Sequence, residues 1–493
     1  MTIQATFNHF FETINGRVAS VLFWSDHPLK LPIILLVMVF GGLFFTISYG
    51  FVNVRLFKHA WNVVRGKYDK EGHEGEITHF QALTSALSAT VGLGNIAGVA
   101  LAISLGGPGA VFWLWVVAFF GMSMKFSSST LAQLYRRVSP DGSVLGGPMV
   151  YLEDGFKKQK PKLKKVGKGF AVTFAFFTIA ASLGGGNMFQ GNQAFELLVS
   201  QFPALKGWEW VAGVILALAV GAVLLGGIKR VGEVTSKLVP AMCGFYCLTC
   251  LFIIMTHYSM VPGLFQSIFV QAFNPDAIWA GGFIGVLTQG IRRASFSNEA
   301  GLGSASIAHA AAKTDRPVRE GVVAMLGPFI DTHLVCTMTS LSILITGAHL
   351  DPKLAGKGAA ITAAAFSSLG SAMPMALTIA ALIFAYSTMI SWGFYGEKGV
   401  EYLFGKSYVS LYRVFYVCVA VLGPVLSLKH IIDFSDLMLL SMAFPNIIGM
   451  MFLASKTRTL LAEYYAEYME GKMELVPEEG EVAADLEPRP QEI

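Results

Sequence analysis

Eleven predominantly apolar stretches, each long enough to supply the roughly 20 residues a helix needs to cross a bilayer, dominate this sequence. They run over 31–52, 80–105, 109–134, 169–198, 209–227, 234–256, 277–308, 320–346, 371–395, 409–428 and 433–455. In hydrocarbon every backbone N–H and C=O must find its partner within the protein, so these stretches predict an all-α membrane bundle. Composition agrees. Of 493 residues, 54% are hydrophobic and 14% charged, against about 25% charged in soluble domains. That balance argues against a cytosolic globular enzyme and rules out a disordered chain, a collagen-like fibre and a disulfide-stapled secreted domain. The net charge of +4 gives no sign of nucleic acid, and the partner implied is lipid.

Where the charge sits predicts orientation. Basic residues crowd alternate connections: Arg55 to Lys70, Arg136 through Lys168, Lys229 to Lys237, Lys313 with Arg316 and Arg319, Lys398 to Arg413, and Lys456 with Arg458. The intervening connections hold only Lys206, Lys353, Lys357 and Lys429, with Arg17 and Lys30 ahead of the first span. Positive charge stays inside, so the N-terminus is expected outside and the C-terminus in the cytoplasm, as an odd number of spans also requires. Phe7, Phe10, Phe11, Ile14 and Val18 recur at helical spacing and predict a helix lying on the membrane surface over 1–28. Met1 to Trp24 has no basic start, apolar core and small-residue site of a cleavable signal. The stretch 457–493 is expected as an acidic cytoplasmic tail, Pro-containing and disordered from Glu474 onward.

Two spans are interrupted by glycine and polar residues near mid-membrane. The second reads SATVGLGNIAG over 88–98, and the seventh reads QGIRRASFSNEAGLG over 289–303. They lie five spans apart. With the first span (29–76, including its cytoplasmic loop) set aside, 77–256 and 257–456 become two sets of five, each opening on a broken helix. Five is odd, so the sets run oppositely through the membrane, the pattern of an inverted-repeat secondary transporter. Irregular backbone survives in lipid only where it lines a cavity or binds something. Unwound carbonyls can replace the water around a sodium ion, and a half-helix N-terminus offers N–H groups and a positive dipole end to a carboxylate. Gly92 and Gly94 leave such an approach open; packing glycines of the Gly94-xxx-Gly98 kind are the structural alternative. At the second break, Phe296 and Asn298 are expected beside the substrate.

Other polar groups lie at membrane depth. Asn187 and Gln190 are three apart and are expected on one face, with Gln193 continuing the line; interhelical amide bonding is the alternative. Adjacent hydroxyls at Ser387 and Thr388 can give a cation two hard oxygen ligands, or can bond back to their own helix. Trp392 can bound the substrate and limit its size. Glu299, Asp331 and His333 are functional candidates because ionisable groups in lipid are costly, although Glu299 can equally fix the irregular backbone it follows. Arg292 and Arg293 are expected to face the inner vestibule or a carboxylate partner. Cys243, Cys247 and Cys250 share one helix face, a small packing surface before a soft-metal site. No nucleophile–base set and no phosphate-binding Walker loop stands out, so neither an enzyme nor an ATP-driven pump is expected.

Six segments carry a family resemblance: SATVGLGNIAGVALAIS (88–104) with GGPGAVFWLWV (106–116), GGPMVYLED (146–154), GGNMFQGNQA (185–194), Arg293 through Thr332, and STMISWGFYGEKGVEYLFGK (387–406). In these the chain resembles the alanine or glycine:cation symporter family. The resemblance implies a LeuT-type 5+5 inverted repeat with one extra N-terminal helix, eleven transmembrane helices in all. It implies uptake of small neutral amino acids, alanine and glycine, coupled to sodium or to protons, across a bacterial or archaeal cytoplasmic membrane. By motif position Thr90, Gly92, Gly94 and Asn95 would shape the first break, Asn187 and Gln190 would contact substrate, and Trp392 would form the pocket wall. Sodium would be held by Thr90, Ser387 and Thr388 with backbone carbonyls of the broken helix. One departure stands out: Ser127, Ser128 and Ser129 follow Lys125-Phe126 where the family commonly has a Glu. A channel or sensor that binds an amino acid without coupled transport is the competing expectation.

Overall fold

The computed structural model describes residues 13, 15–24, 32–68, 73–273 and 282–473, and helices dominate it. The acidic tail from Glu474 lies outside the described residues, as do Phe7, Phe10, Phe11 and Ile14 of the expected surface helix, of which residues 15–22 are described as helical. In chain order the helices that matter here are α1 (Ile33–Ser48), α2 (Phe57–Val64), α3 (His79–Thr90), α4 (Val99–Gly106), α5 (Gly109–Tyr135), α6 (Pro148–Gln159), α7 (Lys164–Leu183) and α8 (Phe189–Gln201). There follow α9 (Glu209–Leu224), α10 (Gly227–Thr256), α11 (Val261–Ala272), α12 (Gly282–Asn298), α13 (Ala305–His309), α14 (Pro317–Ala324) and α15 (Thr337–Thr346). The last four are α16 (Gly358–Ser367), α17 (Met373–Phe404), α18 (Val409–Ala420) and α19 (Leu428–Met469).

Six continuous helical stretches among the described residues are long and apolar enough to cross a membrane: 109–135, 161–201, 227–256, 317–346, 373–404 and 428–469. A seventh is the pair α3 and α4, bent by 50° at its break. Helices also occupy the other expected stretches, over 33–48, 209–224, 282–298 and 409–420. The short apolar helix α16, between the eighth and ninth stretches, was not expected from the sequence.

The outward surface is what lipid requires. On α9 Val211, Ile215 and Leu218 are exposed, on α10 Leu248, Phe252 and Met255, and on α18 Leu411, Val414 and Phe415. The i, i+3/i+4, i+7 spacing gives each helix one greasy stripe facing out. Serine, threonine and amide side chains are turned the other way, inside the bundle, where Ser88, Asn95, Ser297, Asp331, Ser387 and Asn446 are all buried.

Three short π-helical turns wind into this interior: Gly94–Gly98, Gly184–Met188 and Phe329–Cys336. A π turn carries an extra residue and frees backbone groups from their usual partners, which is why such turns gather at working sites. The second break is shorter than the sequence suggested. Helix α12 runs unbroken to Asn298, so Arg292, Arg293 and Phe296 sit on regular helix, and the irregular backbone is confined to 299–304. Glu299 opens it with φ +54°, a conformation that non-glycine residues seldom adopt.

Candidate substrate and ion site

The first break is built from its own capping groups. Thr78 and Gln81 start α3 with a reciprocal capping box, and the helix runs to Thr90 before Val91 turns extended. This leaves N–H groups at 92 and 93 without helical partners. The Gly92 N–H donates to Asn95 Oδ1 (2.9 Å) and the Leu93 N–H donates to Gln190 Oε1 (3.2 Å). Neutral amide oxygens therefore occupy the donors that a carboxylate would seek. Gly92 permits the close approach: a Cβ there would lie 2.5 Å from Thr388 Oγ1 and 3.2 Å from Gln190 Oε1.

Around this break lies a small hollow lined by Ala89, Thr90, Gly94, Gly185, Gln190, Phe296, Trp392 and Leu439, with a free volume of about 10 Å³. It gathers residues from both broken helices, from the glycine-rich turn before α8, from α17 and from α19. Trp392 is fixed by its indole N–H, which donates to Ala89 O at the frayed end of α3 (3.2 Å). Its ring lies flush on Gly186, where a Cβ would come within 2.2 Å of Trp392 Cβ. Phe296 meets Phe189 edge-on at 4.9 Å between ring centroids.

The hydroxyl pair stands beside the same helix end. Thr388 Oγ1 donates to Ser88 O (2.9 Å), and Ser88 Oγ donates to Ser387 O (2.7 Å). Carbonyls and hydroxyls from α3 and α17 thus meet in one patch, a donor set of hard neutral oxygens of the kind that suits an alkali cation. Ser387 Oγ itself bonds back to Phe384 O (3.0 Å), and Thr90 Oγ1 bonds back to Ala86 O and Leu87 O (3.2 Å each). In this arrangement Thr388 and Ser88 are the hydroxyls that bridge the two helices.

Three expected substrate residues point elsewhere. Asn95 Nδ2 donates to Asp331 Oδ1 (2.7 Å), so its amide ties the break to the third π turn while its oxygen caps Gly92. Asn298 donates to Thr332 Oγ1 (2.9 Å) and accepts from the Ala300 N–H (2.8 Å), which shapes the second break. Asn187 donates to Tyr416 O on α18 (2.8 Å) and leaves its Oδ1 without a hydrogen-bond partner. Asn187 and Gln190 were expected on one face, and Gln193 after them. The π turn ending at Met188 breaks the α register between the first two, and Gln193 bonds to Asn192 and Glu196 instead.

Sequence reasoning singled out Asp331 without seeing its role as a hub. It is fully buried and accepts from Asn95, from Ser297 Oγ (2.8 Å) and from Thr332 Oγ1 (2.7 Å). Glu299 accepts from Ser304 Oγ, which braces the irregular turn, and its Oε1 has no partner. Lys125 is buried within electrostatic reach of both carboxylates. The three serines after it are buried too: Ser127 shares a hydrogen bond with Tyr49 (2.8 Å), and Ser128 bonds back to Lys125 O (3.1 Å). Half-buried His333 stacks on Phe329 at 5.8 Å. Leu439 and Gly185 of the hollow were also missed; nothing in their own residue type distinguishes them from packing.

Above the hollow lies an ion-paired cap. Asp436 is bonded by Arg293 and by Arg292 (2.8 Å), and Arg293 lies over the Phe296 ring at 5.6 Å. Arg293 and Phe296 are three residues apart on α12, as Asp436 and Leu439 are on α19, so each helix contributes one cap residue and one wall residue from a single face. Beyond the cap is a wider cavity of about 430 Å³, lined in part by Gln289, Lys429 and Asp433.

This arrangement is that of a carrier, with two broken helices meeting over a closed polar hollow, and comparison with known proteins agrees. The profile of the Sodium:alanine symporter family matches residues 15–478. The chain belongs to the sodium:alanine symporter family. It is 44% identical over 428 residues to the sodium/alanine symporter AgcS of Methanococcus maripaludis, covering 86% of this chain and 92% of that one. It is 33% identical to the probable sodium/glutamine symporter GlnT of Bacillus subtilis (92% and 91% covered). It is 34% identical to the amino-acid carrier protein AlsT of the same organism (87% and 89% covered). Among solved structures the crystal structure of MhsT in complex with L-phenylalanine superposes with a TM-score of 0.56 at 18% identity, over 78% of this chain and 89% of that one, which is a likeness of fold. Members of the sodium:alanine symporter family are multi-pass membrane transporters coupled to sodium. Membership sets aside the channel and sensor alternatives.

Proposed function

We propose that this sodium:alanine symporter family member takes up alanine or glycine with sodium by alternating access, through eleven spans arranged as five plus five behind one extra helix. The N-terminus then lies outside and the C-terminus in the cytoplasm of a prokaryotic inner membrane. The observation that carries the reading is the meeting of both broken helices, the 184–188 turn and Trp392 around one hollow, with the Thr388–Ser88 oxygen patch at its edge. Phe296, Trp392 and Leu439 crowd the hollow, and the smallest amino acids require the least displacement of them.

The carboxylate is received at the Leu93 N–H group, where it displaces the Gln190 amide oxygen. The ammonium is taken by carbonyl and amide oxygens, and sodium by Ser88 O, Thr388 Oγ1 and neighbouring carbonyls. Both ends of the zwitterion must be paired, because an unpaired charge out of water is far costlier than an unpaired amide. The Arg293–Asp436 cap closes the outer path. One positive charge moving inward yields about 2.3 kcal/mol per 100 mV, enough for roughly fortyfold accumulation before any ion gradient is counted.

Uptake of labelled alanine by proteoliposomes tests the proposal. Uptake should rise with an inward sodium gradient and show counterflow; indifference to sodium would sink it. A second reading, coupling to protons, is favoured by the unpartnered Glu299 Oε1 and predicts uptake driven by an imposed pH gradient without sodium.

A further inference from the structure

At the opposite end of the broken helices from the Arg293–Asp436 cap, three buried ionisable side chains meet. His79 is the first residue of α3, His309 the last residue of α13, and Glu320 lies on α14. Their exposures are 1%, 1% and 0%. Each carboxylate oxygen of Glu320 takes one histidine: Oε2 bonds His79 Nδ1 and Oε1 bonds His309 Nδ1. One side chain thus holds the near ends of both broken helices.

The backbone around them is zipped shut. The Glu76 N–H donates to Ala311 O (2.8 Å) and the Lys313 N–H donates to Ile77 O (2.8 Å), pairing the segment before α3 with the segment after α13. From the end of α5, Gln133 donates to Ala312 O (3.1 Å), and Arg136 donates to Ala310 O (3.2 Å) and Glu74 O (2.7 Å). Helix α14 lies flush on α5, since a Cβ on Gly321 would meet Thr130 Oγ1 at 2.1 Å. Parting α3 from α13 and α14 on this side breaks the bonds to Glu320. The backbone zipper exchanges readily for water, but a buried carboxylate bonded at both oxygens does not, because such charge-assisted bonds are about twice as strong as neutral ones.

We infer that Glu320 is the positioning residue that holds the inner closure, a latch whose release from His79 and His309 commits the carrier to face inward. The inference rests on the alternating-access reading above. A latch differs from a merely structural contact because its loss changes the balance between outward- and inward-facing forms. Glu320→Gln keeps the shape and removes the charge. It is expected to raise the half-saturating external alanine concentration about tenfold, while sodium-dependent exchange from alanine-loaded vesicles is kept or quickened. His309→Ala should follow it. His309→Asn, which retains a donor near the Nδ1 position, should shift less. Should Glu320→Gln fail to purify as a monodisperse protein, Glu320→Asp and His309→Ala carry the same measurement.

Equal loss of uptake and exchange with unchanged half-saturation would make the cluster structural and overturn the latch. Wild-type kinetics in every variant would overturn it as well. Absence of sodium-driven uptake in the unmodified protein would instead overturn the transport reading on which the latch stands.

Discussion

Gln190 occupies a donor that the proposed reading gives to the substrate carboxylate. Its Oε1 sits on the Leu93 N–H, and its own Nε2 is tied to Gly185 O (2.9 Å), so the amide is anchored at one end and exchangeable at the other. Gln190→Glu would place a permanent carboxylate on that donor, and alanine uptake should fall by about tenfold or more, the scale of one charge-assisted hydrogen bond. Retained uptake in a labelled-alanine assay would remove Gln190 from the site. Thr388→Ala deletes the hydroxyl that joins α17 to Ser88 O and should raise the half-saturating sodium concentration about fivefold, with a smaller effect on alanine. Gly186→Ala sets a methyl against Trp392 and should cost about 1–3 kcal/mol as overpacking, read as a lower melting temperature together with lost uptake. Much of this site was legible from residue type: glycine at a close approach, paired hydroxyls, an indole at membrane depth. Asn95, Asn187 and Asn298 were not, because an amide serves a backbone turn as readily as a ligand, and only the partners distinguish the two.

Elements were legible where hydrophobicity decides and less so where register does. Every apolar stretch marked in the sequence holds a helix, because the requirement to satisfy the backbone in lipid leaves no other regular choice. The π turn at 184–188 could not be read in advance: three glycines signal a weak spot in the winding but not the added residue that turns Asn187 towards Tyr416 and Gln190 towards the first break. At 299–304 the positive φ at Glu299, Gly301 and Gly303 marks where the irregular backbone lies, four residues after Ser295, the last position whose carbonyl the Glu299 N–H still reaches. Beyond the spans, α2 is joined to α19 by His59, whose Nε2 meets Tyr464 OH at 2.7 Å. Burial first, and the Arg319 guanidinium second, hold His59 down to about 4 from the ordinary 6.5. A histidine kept neutral when folded stabilises above its unfolded pKa, and that contribution disappears as pH falls from 6.5 towards 4. Thermal melts across this window should show the loss in the unmodified protein and a flatter profile in His59→Gln.

At the scale of the molecule, charge and topology make one joint prediction. Lys353 and Lys162 are both exposed, one before α16 and the other between α6 and α7. A cysteine at Lys353 should react with an impermeant maleimide on intact cells, and one at Lys162 only after the membrane is opened. The reverse pattern would invert the bundle and with it the direction of the proposed cycle. That orientation is an expectation from the sequence alone, where basic residues alternate between connections. The ion-paired cap and the buried histidines were not legible there, since their partners lie between 11 and 241 residues apart in the chain.

The three π turns have a mechanical consequence. A helix wound with one surplus residue can hand that surplus along its length by swapping carbonyl partners one at a time, much as a wrinkle travels through a carpet, and no step leaves several peptide groups bare in oil. Two of the turns adjoin the hollow, and the third carries Asp331, which is tied to the first. Bending at these places can therefore proceed by many small exchanges, and a bundle this tightly closed can yield without first coming apart.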